Sequence, residues 1–110
     1  NFGKLKKLKK LAIDYSNFRS FPSAICQLIN LEELYLRGNQ IKEIPSNIVN
    51  LIKLKGLDLR GNKLKYLPNQ LTKLKNLNLL YVEANPLEEP SQKIIHQGSQ
   101  AILNFLKSTQ

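Results

Sequence analysis

The chain has 110 residues, 42% of them hydrophobic and 23% charged, which is the composition of one small globular domain and not of a disordered or fibrous chain. One Cys and one His exclude a disulfide framework, a multi-cysteine zinc site and a histidine-rich metal centre, and no apolar run approaches the roughly 18 residues of a membrane span. The formal charge of +9 favours acidic partners only if the basic residues gather on one face, so their placement decides what the charge means.

The chain is periodic. Residues 1–7 read as the end of a unit, with Phe2 and Leu5 standing where Ile25 and Leu28 stand one period later. From Leu8 the frame is explicit: Leu8, Leu11 and Ile13 occupy positions one, four and six, Ser16 position nine and Phe18 position eleven, followed by Phe21-Pro22, Ile25 and Leu28. Shifted by 23 residues, the second unit reads Leu31, Leu34, Leu36, Asn39, Ile41, Ile44-Pro45, Ile48 and Leu51. The third reads Leu54, Leu57, Leu59, Asn62, Leu64, Leu67-Pro68, Leu71 and Leu74. The fourth begins Leu77, Leu80, Val82, Asn85 and Leu87, then breaks where Pro90 and Ser91 replace the apolar–Pro pair. Beyond Ser91, the residues Ile94, Ile95, Ala101, Ile102, Phe105 and Leu106 recur at helical spacing. The spacing is interrupted at Gly98-Ser99, where Ser99 is expected to cap a second helical turn.

The Leu-x-Leu of each unit predicts a short strand whose side chains alternate between core and solvent. One such strand cannot bury its apolar face alone, but stacked units share a continuous core. Asn39, Asn62 and Asn85 stand where the chain leaves the strand, so their amides are expected to bond backbone groups that the turn leaves unpaired, as a ladder from unit to unit. Ser16 takes that place in the first unit, and its shorter hydroxyl predicts a weaker rung. Each Pro fixes the backbone that opens the return segment, and Ile48 and Leu51, three and six residues beyond Pro45, face the core from a helical or extended turn.

The pattern L-x-x-L-x-L-x-x-N-x-L resembles the leucine-rich repeat over nearly the whole chain. The resemblance implies an α/β leucine-rich repeat solenoid: a curved parallel sheet on the concave side, short helical or extended returns on the convex side, and a C-terminal helical cap. The repeats are expected over 1–90 (a partial repeat at 1–7, then units starting at 8, 31, 54 and 77) and the cap over 91–110. No polar cap precedes the first unit, so further repeats are expected upstream. The Pro-x-x-Ile-x-x-Leu return is similar to the intracellular repeats of Ras-associated scaffolds and of Roco-type proteins. The stretch from Asn85-Pro86-Leu87 through Gly98-Ser99 to Phe105-Leu106 is similar to the junction that closes repeat arrays in Roco-type proteins, which implies a GTPase domain downstream.

In such a solenoid, positions two, three, five, seven and eight of each unit face solvent from the concave side. They carry Lys9, Lys10, Arg37, Lys55 and Arg60 against Asp14, Glu32, Glu33, Asp58 and Glu83, so this face is neutral and the basic excess lies on turns, edges and cap. Nucleic-acid binding wants basic residues concentrated in one groove beside groups that read bases, and is not expected. The lysines solvate the convex side while their stems cover apolar surface. The run Lys4–Lys10 places Leu5 and Leu8 in the core frame and reads as a folded repeat, not as a nuclear-import cluster. The mixed concave face suits a protein partner, because Tyr and Arg dominate interface hot spots. Tyr35 and Tyr81 share position five with Asp58 between them, while Arg37, Arg60 and Glu83 share position seven. Arg37 and Arg60 repel unless a partner carboxylate, Glu33 or Asp58 offsets them. Tyr35, Arg37, Asp58, Arg60, Tyr81 and Glu83 are therefore the expected partner-binding residues, with Glu33 at the rim.

Catalysis is not expected. Cys26 lies on a return and His96 in the cap, units apart, so no thiol–imidazole pair forms. Asp14, Asp58 and Glu83 are single acids on separate strands and make neither a calcium nor a zinc site. Gly38-Asn39 and Gly61-Asn62 are repeat turns, not phosphate loops, and no cofactor is expected. The reading is a non-catalytic protein–protein interaction module in an intracellular signalling protein such as a Roco-type GTPase. A cytoplasmic location is expected because a lone Cys and no Asn-x-Ser/Thr acceptor fit a reducing compartment. The alternatives are a stand-alone repeat scaffold, or docking of the lysine-rich convex side on an acidic surface. The open first unit also predicts end-to-end self-association of this segment.

Overall fold

The structure, a computed structural model, describes residues 5–109; Phe2 and the first lysine of the Lys4–Lys10 run lie outside them. Four strands, β1 (Lys10–Ala12), β2 (Glu33–Tyr35), β3 (Gly56–Asp58) and β4 (Leu79–Tyr81), form one parallel sheet in sequence order. Leu11 pairs with Leu34, Leu34 with Leu57 and Leu57 with Leu80, so the 23-residue period of the sequence becomes zero offset between neighbouring strands. The strands begin one residue earlier than the Leu-x-Leu pattern suggests. Their ladder nevertheless runs on, with Leu36 and Leu59 N–H donating to the carbonyls of Asp58 and Tyr81 at 2.9 and 2.8 Å.

The returns are 3-10 turns at Ser23–Gln27, Ser46–Asn50 and Asn69–Lys73. Pro22, Pro45 and Pro68 precede them in extended conformation, and their carbonyls accept from the N–H groups of Ile25, Ile48 and Leu71. The tighter helix suits the spacing, because a three-residue turn puts Ile25 and Leu28, or Ile48 and Leu51, on one side. Leu34, Leu57 and Leu80 from the strands meet Ile25, Ile48 and Leu71 from the returns, all at most 1% exposed. Leu8, Leu11 and Ile13 of the first unit are only partly buried, packed on the core from one side.

The asparagine ladder is present. Asn62 donates from Nδ2 to the carbonyls of Leu36 and Leu59, both at 2.9 Å, and its Oδ1 accepts from Ile41 N at 3.1 Å. Asn39 and Asn85 make the corresponding bonds to Ile13 and Leu36, and to Leu59 and Val82, and all three side chains are buried. The Ser16 hydroxyl donates to the carbonyl of Asp14 in its own loop, a bond that couples no units, while its backbone N–H donates to Asn39 Oδ1 of the next unit. One position earlier, the backbone is left-handed in every unit: Tyr15 (φ 53), Gly38 (φ 68), Gly61 (φ 73) and Ala84 (φ 59).

Two helices, α1 (Gln92–His96) and α2 (Ser99–Ser108), close the far end of the core. Ile95, Ile102, Leu103 and Leu106 are buried, and α2 lies against β4 and the last 3-10 turn. Ser91 caps α1 by accepting from Ile94 N. The expectation that Ser99 caps the second helix is corrected. Gly98 holds the N-cap position at φ 103, a conformation open to glycine. The Ser99 hydroxyl turns instead to the sheet edge, accepting from Leu80 N at 2.8 Å and donating to Leu80 O at 3.1 Å. The reason is accounting: β4 has no fifth strand among the described residues, so its edge groups beneath α2 need partners from outside the sheet. Next along that edge, Val82 N donates to Glu83 Oε1 at 3.1 Å.

Candidate interaction surface

Strand register places Tyr35, Asp58 and Tyr81 in one row across the concave face. The short Asp58 between two tyrosines leaves a gap into which two longer side chains reach. Arg60 grips Asp58 in a two-pronged pair, Nε to Oδ1 at 3.0 Å and Nη2 to Oδ2 at 2.7 Å. Arg37 Nε lies 3.7 Å from the same Oδ2, and Arg37 Nη2 donates to Asp14 Oδ2 at 3.1 Å. Asp14 Oδ1 also accepts from the backbone N–H of Arg37 at 2.7 Å. The result is an alternating string, Asp14–Arg37–Asp58–Arg60, running across three units with no net charge.

Asp58 is 1% exposed, so it is not presented to solvent as its strand position suggests. Burying a carboxylate is costly unless it is paired and hydrogen-bonded. The backbone N–H and guanidinium of Arg60 supply the hydrogen bonds, and Arg37 adds a second ion pair without one. The arginine side chains keep 40% and 41% of their surface exposed. Both are held more firmly cationic than an isolated arginine, Arg37 chiefly by its bond to Asp14 and Arg60 by its bond to Asp58. Arg60 also lies over the Tyr81 ring at 5.1 Å, and Lys10 over the Tyr35 ring at 5.5 Å.

Glu33 does not offset the arginines; its Oε1 accepts from the Tyr35 hydroxyl. That bond raises the phenol above the usual tyrosine range, since the neighbouring carboxylate opposes a phenolate. Glu83 stands at the sheet edge on Val82 N. The structure thus brings Arg37, Asp58, Arg60 and Tyr81 into contact, with Tyr35–Glu33 beside them as a separate pair. Asp14 was not among the expected residues, although its place at position seven, one period before Arg37, was a legible signal.

Among the described residues no group of His, Cys, Asp and Glu is arranged to hold a metal. Cys26 is buried, and burial pushes its thiol up to about 11, the opposite of what activates a nucleophile. No helix among the described residues is long and apolar enough to cross a membrane.

The chain belongs to the leucine-rich repeat family: residues 1–97 match the family described as a leucine-rich repeat region. Its fold is that of solved members. It is similar to the internalin inlF of Listeria monocytogenes, at 30% identity and a TM-score of 0.70 over 86% of this chain and 27% of that one. A leucine-rich repeat protein of Leptospira interrogans matches at 30% identity and a TM-score of 0.64, over 86% of this chain and 30% of the other. Internalin C2 of Listeria monocytogenes matches at 26% identity and a TM-score of 0.72, over 86% and 40%. The chain therefore spans well under half the length of each of these proteins. Compared with curated proteins, it finds no match.

Proposed function

We propose that the chain is a non-catalytic protein–protein interaction module that binds its partner on the concave face of the sheet. The observation that supports this reading best is the Asp14–Arg37–Asp58–Arg60 string. It holds two half-exposed guanidiniums in place, Arg60 over the Tyr81 ring, so a partner carboxylate or carbonyl meets donors that have already lost their rotamer freedom. Tyr35 and Tyr81 add contact area on either side, Glu33 and Glu83 form the rim, and Asp58 acts by positioning the arginines. The test is a Tyr35→Ala/Tyr81→Ala variant. A partner captured by the wild-type chain, identified by mass spectrometry and titrated by calorimetry, is expected to bind the variant more weakly by at least about 2 kcal/mol. Undiminished affinity overturns the concave reading.

The finer setting is proposed from the motifs alone. The Pro-x-x-Ile-x-x-Leu returns and the closing junction favour an intracellular signalling protein of Roco type or a Ras-associated scaffold, and the lone buried Cys26 suits a cytoplasmic location. Gene sequence beyond Gln110 decides between them: a phosphate-binding loop supports the GTPase-linked reading, and a stop codon supports the stand-alone scaffold. The partly buried Leu8, Leu11 and Ile13 support end-to-end association of this segment, which sedimentation over a dilution series tests.

A further inference from the structure

On the flank where the chain leaves the sheet for the 3-10 turns, two open grooves of about 590 and 390 Å³ lie side by side. Both are lined by Lys42 and Glu43, so they form one trough crossing successive units. Its lining carries the exposed cations Arg19, Lys42, Lys63 and Lys65 at the rim, together with Ile44, Tyr66, Pro68 and Pro86. The prolines stiffen this lining, and the exposed Tyr66 has its hydroxyl held by Glu88 Oε1 at 3.0 Å.

Charge distinguishes this trough from the concave face. The concave arginines are paired within the chain, whereas none of the four rim cations has an ion-pair partner among the described residues. Two features argue against a uniform polyanion. The exposed Glu43 lines both grooves, where a carboxylate opposes a phosphate lattice but offers an acceptor to a peptide N–H. Frame position twelve, held by Arg19, Lys42 and Lys65 in the first three units, is held by Glu88 in the fourth, with Glu89 beside it, so the basic run ends abruptly.

We propose that the trough binds an extended acidic polypeptide segment, with Asp or Glu side chains over the first three units and basic residues over Glu88 and Glu89. This surface shares no residue with the concave string and stands independently of the reading given above.

The probe is a synthetic twelve-residue peptide of alternating Glu and Leu ending in two lysines, titrated into the isotope-labelled chain and followed by amide chemical shifts. Shifts are expected at residues 19–20, 42–43 and 63–68. Affinity is expected to fall at least tenfold when Gln replaces Glu in the peptide, and tenfold in the variant Lys42→Glu/Lys63→Glu/Lys65→Glu. It is also expected to drop between roughly 50 and 500 mM salt, and when the terminal lysines become Glu. The variant Lys73→Glu/Lys75→Glu/Lys107→Glu changes net charge equally at exposed sites elsewhere and is expected to bind as the wild type does. All these lysines are exposed, and circular dichroism verifies that each variant is folded; the milder Lys42→Gln/Lys63→Gln/Lys65→Gln repeats the test. No shifts, shifts confined to the concave residues, or equal losses in both charge-reversal variants overturn the proposal. So does tighter engagement of the same residues by phosphatidylserine vesicles or oligothymidylate.

Discussion

At position eight of each unit the backbone is left-handed, and only two of the four residues there, Gly38 and Gly61, are glycine. A Cβ at Gly61 meets nothing closer than Gly38 N at 3.4 Å, so Gly61→Ala adds backbone strain alone, about 1–2 kcal/mol by urea unfolding. A Cβ at Gly38 would also overlap the Tyr15 ring. That ring is 73% exposed and free to swing outward, so Gly38→Ala is expected to cost about the same. A much larger loss at Gly38 would mean that the ring is held in place. Ala84 has φ 59 without the excuse of glycine, and Ala84→Gly is expected to stabilise the chain by up to about 1 kcal/mol.

Cys26 gives the pH-dependent prediction at this scale. Its thiol is raised from 9.0 to about 11 by burial, so the folded state favours the neutral form. The associated stability is fully present below pH 9 and is lost as pH rises through about 11. At pH 8 iodoacetamide is expected to modify Cys26 only through unfolded molecules, which mass spectrometry with and without urea measures directly. Rapid labelling of the folded chain would contradict the burial.

Among the elements, α2 does the most that its amino-acid pattern does not announce. Its apolar residues read as a cap at helical spacing, and they cover the core as that spacing requires. Ser99, however, serves the sheet and not the helix. Ser99→Ala leaves Leu80 N–H and C=O without partners beneath α2 and is expected to cost about 1–3 kcal/mol, with faster hydrogen exchange at Leu80. Ser91→Ala removes a longer cap bond of 3.4 Å at an exposed helix start and is expected to cost less, on the order of 0.5–1 kcal/mol. The reverse order would return Ser99 to a capping role.

For the whole molecule, stability passes from unit to unit through the asparagine ladder as well as through the core. Asn62→Ala leaves the carbonyls of Leu36 and Leu59 and the N–H of Ile41 buried without this partner. The expected loss is about 3 kcal/mol or more. Because each unit contacts only its neighbours, the variant is also expected to unfold with a shallower urea dependence, the two sides of the broken rung separating in stability. An unchanged slope would show that core packing alone couples the units.

The 23-residue frame by itself determined the strand register, the core positions, the turn with its asparagine, and which residues line the concave side. It did so because each unit's principal contacts are with the same positions in the units on either side, so spatial neighbours are legible as sequence intervals. Tertiary structure alone decided whether Asp58 is presented or buried, since that depends on how far Arg37 and Arg60 reach across strands into the gap between Tyr35 and Tyr81. It alone gave Glu33 to Tyr35, and Ser99 to the edge of β4, where the repeat ends and a helix must satisfy a strand. The flank trough belongs to the same class: its residues recur in the frame, but their unpaired charge emerges only once the long side chains have chosen partners, a choice made by reach and solvation and not by spacing.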